Sequence, residues 1–166
     1  MQLKFITLFF LFSQIQTQSD VGSKLIEVGI NSIYKNKDGI VIDIYGFNTT
    51  PIAGIQLDIM NQGLFTIDSA YGGRCLENNF TIYTNKQGRI LAFSMKGDLI
   101  PVSISEEKAD NLLFSVYGKL NDNLHIRWES DHSLGLKTIN MESIIAGKKG
   151  ERLSSISPSF IWEGVK

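Results

Sequence analysis

The sequence predicts an all-β fold, a sandwich or barrel of about nine strands. Three observations carry this. Apolar and polar residues alternate over short runs. Turn residues return about every eight to twelve positions. Helical composition is confined to residues 103–111, around Glu106-Glu107-Lys108-Ala109.

Taken in order, residues 25–34 are rich in β-branched side chains, and Lys35-Asn36-Lys37-Asp38-Gly39 is a polar turn ending in glycine. Residues 40–47 place Ile40, Ile42 and Ile44 on one face and Asp43 on the other, until Asn48 to Pro51 break the strand. Residues 54–59 turn Ile55, Leu57 and Ile59 inward and Gln56 and Asp58 outward. A short strand over 64–69 ends at the turn Tyr71-Gly72-Gly73. Phe80 and Ile82 then alternate with Thr81 and Tyr83, and Asn85-Lys86-Gln87-Gly88 turns the chain into residues 89–95. That strand is apolar on both faces, which places it centrally, buried on one side and partly covered on the other. Leu112, Phe114 and Val116 form one stripe of the next strand, and Leu124, Ile126 and Trp128 one of the strand after it. Residues 137–145 and 160–163 complete the set, with Trp162 on the last. No repeat or linker interrupts the pattern, so residues 20–166 are expected to form one domain.

The first 19 residues are read separately. A weakly positive start, the apolar run Phe5-Ile6-Thr7-Leu8-Phe9-Phe10-Leu11-Phe12 and a polar stretch make the order of a secretory signal peptide. Cleavage after Ser19 puts small residues, Thr17 and Ser19, at the two recognised positions. The apolar run is far below the roughly 20 residues that a spanning helix needs, so no membrane span is expected. The protein is therefore expected to be secreted. In an oxidising compartment the lone Cys75 either pairs with another chain or is buried and inert. Asn48-Thr49-Thr50 and Asn79-Phe80-Thr81 are glycan acceptors if the secretory route is eukaryotic, the first disfavoured by Pro51.

Composition closes several classes. Lys+Arg 16 against Asp+Glu 17 offers no basic field for nucleic acid. One Cys and two His leave no zinc set, and no motif calls for a cofactor. Catalytic signatures are missing too: there is no Gly-x-Ser-x-Gly elbow, no His-Glu-x-x-His and no phosphate loop. Asp43 and Asp58 would make a carboxylate pair only by meeting across neighbouring strands. His125 and His132 have no spacing that selects a serine partner. Lys96-Gly97-Asp98 resembles an integrin-binding tripeptide, but only over three residues. Binding features are stronger. Tyr45, Tyr83 and Tyr117 fall at outward positions of three strands and would form an aromatic platform if those strands adjoin.

The order of several short phrases adds a family. Ile42-Asp43-Ile44 leads to Pro51-Ile52-Ala53-Gly54-Ile55-Gln56-Leu57-Asp58-Ile59, then Gly72-Gly73 and Asn79-Phe80. Gly88-Arg89-Ile90-Leu91-Ala92-Phe93-Ser94-Met95-Lys96-Gly97, Ile100-Pro101 and Asn111-Leu112-Leu113-Phe114-Ser115-Val116 follow. Over residues 26–116 this resembles the cohesin-like domain. The resemblance implies a jelly-roll β-sandwich akin to the carbohydrate-binding-module superfamily, with no enzymatic activity. It also implies a protein partner, a dockerin for cohesins proper, in an extracellular or cell-surface assembly. Ile55, Asn79, Val102 and Ser103 depart from the family's usual phrases, and no binding residue is carried over. The alternative on the same architecture is a module that binds polysaccharide through exposed aromatics. A large apolar patch with a polar rim would favour protein, and an aromatic row on a flat face would favour sugar.

Overall fold

The computed structural model describes residues 25–37, 39–61, 63–121 and 136–163. The leader over 1–19 and the strand expected at Leu124, Ile126 and Trp128 lie outside the described residues, as do His125 and His132. Eleven strands are described: β1 (Ile26–Asn36), β2 (Gly39–Phe47), β3 (Ile52–Met60), β4 (Phe65–Tyr71), β5 (Thr81–Thr84), β6 (Arg89–Phe93), β7 (Leu112–Leu120), β8 (Lys137–Gly147), β9 (Arg152–Leu153), β10 (Ser155–Ile156) and β11 (Phe160–Trp162). They form two sheets, in the orders β10-β1-β2-β7-β4 and β11-β8-β3-β6-β5, with β9 paired to β8. All described pairings are antiparallel except β1 with β10.

Alternation builds the interior. Ile40, Ile42 and Ile44 of β2 meet Ile55, Leu57 and Ile59 of β3 in one core, joined by Phe114 and Val116 of β7 and Ile90 of β6. Each such side chain contributes about 1.5–3 kcal/mol by leaving water. Trp162 is buried at 3% exposure, so its side chain helps β11 close this core.

Glycines set two close approaches in the fold. Gly88 has φ +107, and a Cβ there would lie 2.4 Å from the Ile59 carbonyl oxygen. The β5–β6 hairpin therefore fits against β3 only with glycine at that point. Gly73, at φ +57, lies under the carbonyls of Leu112 and Leu113, both 2.6 Å from its missing Cβ. That close approach seats an unforeseen helical turn, α1 (Gly73–Glu77), on β7 where a simple turn was expected.

Residues 103–111 are a correction in the other direction. Only Ala109–Asn111 forms a 3-10 turn. The Asn111 side chain donates to the carbonyls of Ser105 and Glu107 at 2.8 and 2.9 Å. Those bonds satisfy backbone acceptors that a helix would otherwise use, and they fix the segment as a loop.

Candidate functional site

Adjoining strands of the second sheet place their outward residues in register. Ala146, Gly54 and Phe93 form one row across β8, β3 and β6. Ile144, Gln56, Leu91 and Tyr83 form the next, reaching β5. Glu142, Asp58 and Arg89 form a third. The first two rows are mostly apolar and open to water: Ile144 is 42% exposed, Leu91 38% and Tyr83 53%. Gly54 has no side chain, so the sheet dips between Ala146 and Phe93 into a shallow cavity of about 220 Å³. Tyr83 stacks on Phe93, with centroids 5.7 Å apart and ring planes 24° from parallel, and extends the apolar surface to the sheet edge.

In the third row, a charged border, Asp58 and Arg89 are already paired within the chain, with Glu142 exposed beside them. Arg89 donates to Asp58 through Nε at 2.7 Å and Nη2 at 3.3 Å, and Gln56 Nε2 adds a bond of 3.1 Å. The Arg89 bond holds the Asp58 carboxyl below its ordinary range, and the same bond raises the guanidinium. An apolar ridge can fill the trough beside the Asp58–Arg89 pair without breaking that pair.

The three tyrosines do not share a platform. Tyr83 is on this face, whereas Tyr45 and Tyr117 are on β2 and β7 of the other sheet. Alternation reports that a residue points outward but not from which sheet. Tyr45 is also covered, at 1% exposure. Its hydroxyl donates to Glu27 Oε1 at 2.5 Å, and the Lys108 ammonium sits 4.5 Å from its ring centroid. Burial, then Glu27, drives the phenol far above its ordinary pKa. Asp43 and Asp58 likewise face outward from different sheets, so they make no pair of the glycosidase kind.

Asn48 is a second correction. It is 3% exposed, and its Nδ2 donates to the carbonyls of Thr50 and Pro101, both at 2.8 Å. A glycan would have to be joined to a nitrogen committed inside the fold. Asn79 is exposed, at φ +57 after α1. Cys75 is fully buried, and burial pushes its thiol up to about 12, so the folded chain offers no surface thiol there for a bridge to another chain. Among the described residues no cluster of His, Cys, Asp or Glu could hold a metal ion. No helix among them is long and apolar enough to cross a membrane.

The architecture has counterparts among solved structures. A cohesin from Clostridium acetobutylicum superposes with a TM-score of 0.56 at 14% identity, covering 86% of this chain and 92% of its own. The fold is cohesin-like. A non-cellulosomal cohesin from Archaeoglobus fulgidus gives 0.56 at 10% identity, over 85% of this chain and 91% of that one. A Clostridium thermocellum cohesin, solved in a type I cohesin–dockerin complex, gives 0.55 at 15% identity over 82% and 91%. No protein-family model and no curated protein matches the sequence. The all-β jelly-roll sandwich expected from the sequence is thus the fold of the chain.

The residues that form the trough were not singled out in the sequence. One signal was present: residues 89–95 read as apolar on both faces, and the second face of that strand is Leu91 and Phe93. Ile144 and Ala146 gave no signal of their own, because only pairing through β3 brings them beside Leu91 and Phe93.

Proposed function

We propose that this protein is a non-catalytic binding module that holds a protein partner on the outer face of the β8-β3-β6-β5 sheet. The observation that carries the reading is the exposed trough of Ile144, Ala146, Gly54, Leu91 and Phe93, bordered by the Asp58–Arg89 pair. Exposed apolar surface of this kind, with a polar border, is what a protein interface buries. A fold otherwise seen in cohesins, one of them solved with its dockerin, supports a protein over a small molecule as the occupant. The partner presents an apolar ridge to the trough and polar groups to the border. Residues 1–19 act as a secretory leader, residues 20–166 are the mature module, and the partner is met in an extracellular or cell-surface assembly. Asn79 is the sequon open to a glycan.

The test is capture of partner from the secreted proteins of the source by the immobilised chain, compared with Leu91→Asp and Ile144→Asp. Each substitution puts a charge into the apolar centre, and capture is expected to fall about a hundredfold. Urea unfolding should show only a modest loss, about 1 kcal/mol, because both side chains are already partly in water. Undiminished capture by both variants, with folding intact, would remove this face from the mechanism.

A further inference from the structure

The outer face of the five-stranded sheet is built differently. Registered pairs place Ser32, Asp43, Ser115 and Tyr71 in one row across β1, β2, β7 and β4. The adjacent row is Tyr34, Val41, Tyr117 and Ser69. Tyr34 is 44% exposed and Tyr71 51%. Tyr117 lies over Gly39 of the neighbouring strand: a Cβ at Gly39 would be 2.7 Å from its hydroxyl and 2.8 Å from a ring carbon. A ring lying against a strand that lacks a side chain rests along the sheet, and Tyr117 is half-buried there.

Between and beside these rings is an ordered carboxylate. Ser32 Oγ donates to Asp43 Oδ2 at 2.9 Å, and Ser115 Oγ donates to Oδ1 at 2.6 Å. Each carboxylate oxygen retains acceptor capacity after one such bond. Tyr34 is near enough for the Asp43 carboxylate and the Tyr71 phenol to reinforce the effect of burial in raising its pKa. The groups therefore belong to one surface.

We propose that this face is a second binding site, for an uncharged, linear, β-linked polysaccharide. Tyr34 and Tyr117 stack on its sugar rings, and Asp43 accepts hydrogen bonds from its hydroxyls. The chemistry selects this ligand on three counts. Sugar rings offer an apolar face to an aromatic ring and hydroxyl donors at their rim, which is the pairing found here. Tyr34 and Tyr117 stand on strands separated by one other, about 10 Å apart at the backbone, close to the length of two hexose units in an extended β-linked chain. The charge at the centre is negative, which opposes phosphate, sulfate and uronic acid groups. It also opposes a protein interface, whose centre is depleted of charge.

The experiment is native electrophoresis of the full chain through gels containing mixed-linkage β-glucan or glucomannan. Retardation in at least one gel is expected. Tyr34→Ala and Tyr117→Ala should each weaken it about tenfold, with Tyr34→Phe retaining it and Asp43→Asn reducing it. Leu91→Asp, on the opposite face, should be slowed by the polysaccharide as much as the parent, each measured against a gel without it because the new charge alters free mobility, which separates this site from the protein-binding face. Unretarded migration in both gels overturns the proposal, as does full retardation of both tyrosine-to-alanine variants. Loss of a captured protein in Tyr34→Ala, without retardation of the parent, overturns it too and makes this a protein surface. Far-ultraviolet circular dichroism of each variant confirms that it is folded.

Discussion

On the six-stranded sheet the outward rows run Ala146–Gly54–Phe93 and Ile144–Gln56–Leu91–Tyr83, with the charged pair at the border. On the five-stranded sheet they run Tyr34–Val41–Tyr117–Ser69 and Ser32–Asp43–Ser115–Tyr71, with a carboxylate inside the field of rings. The inner faces of the two sheets are alike, both dominated by isoleucine and leucine. The difference is where charge sits. Asp58 is neutralised by an arginine at the margin, so the apolar trough can be dried by a partner. Asp43 is held by two neutral serine hydroxyls, so its charge remains for a hydroxyl-bearing ligand to solvate. The same alternation thus builds one core and two surfaces of different chemistry.

That comparison is most severely tested at the tie between the sheets. Arg74, half-buried on α1, donates to the carbonyls of Gly46 and Pro101, to Ser103 Oγ at 3.3 Å and to Asn111 Oδ1 at 3.4 Å. It joins β2 of one sheet to the loop that follows β6 of the other. Arg74→Ala removes this shared donor, although Asn48 still donates to Pro101 and Ser103 to Gly46, and is expected to lower stability by about 3 kcal/mol, read from urea unfolding. A loss below 1 kcal/mol would mean that water replaces the guanidinium and that the tie is dispensable.

A smaller effect separates two tyrosines on one face. Tyr45→Phe removes the hydroxyl that Glu27 accepts in a covered position, and about 2 kcal/mol of stability should go with it. Tyr34→Ala, at an open position, should change stability by no more than about 0.5 kcal/mol. Equal losses at the two sites would show that both tyrosines are structural, and the ligand-binding role of Tyr34 would lose its basis.

The smallest effect belongs to the border pair. The Asp58 carboxyl titrates lower in the folded chain than when unfolded, so its contribution is present above the ordinary carboxylate range. It is lost as pH falls through the depressed value. Asp58→Asn should therefore sit slightly below the parent in urea midpoint at neutral pH, and the gap should close below about pH 4. A gap that persists at pH 2 would trace to a lost hydrogen bond with Gln56 and not to the charge pair.

Most strands were legible because the period of two survives in the residues themselves: Ile40, Ile42 and Ile44, or Ile55, Leu57 and Ile59, need no partner to be recognised. The three short strands β9, β10 and β11 were harder. Two or three residues hold no period, so only the last was foreseen, from Phe160 and Trp162. The turn α1 was hidden as well, since its helical form depends on contact between Gly73 and β7. Asn48 looked like a surface acceptor because a sequon is three residues long and carries no record of Pro101, which lies 53 positions away and holds its side chain.

By itself the sequence determined the strand alternation, the glycines that bend the chain at Gly88 and Gly97, the balanced charge, and a core large enough to close a sandwich. The tertiary structure alone decided which outward residues meet. It set Gln56 between Leu91 and Ile144, put Tyr34 and Tyr117 on one face, and parted Tyr83 from Tyr45. The reason is geometric. Side-chain direction along a strand is a local property of its pleat, whereas neighbourhood across a sheet depends on strand order and register, which are settled by pairing between distant segments.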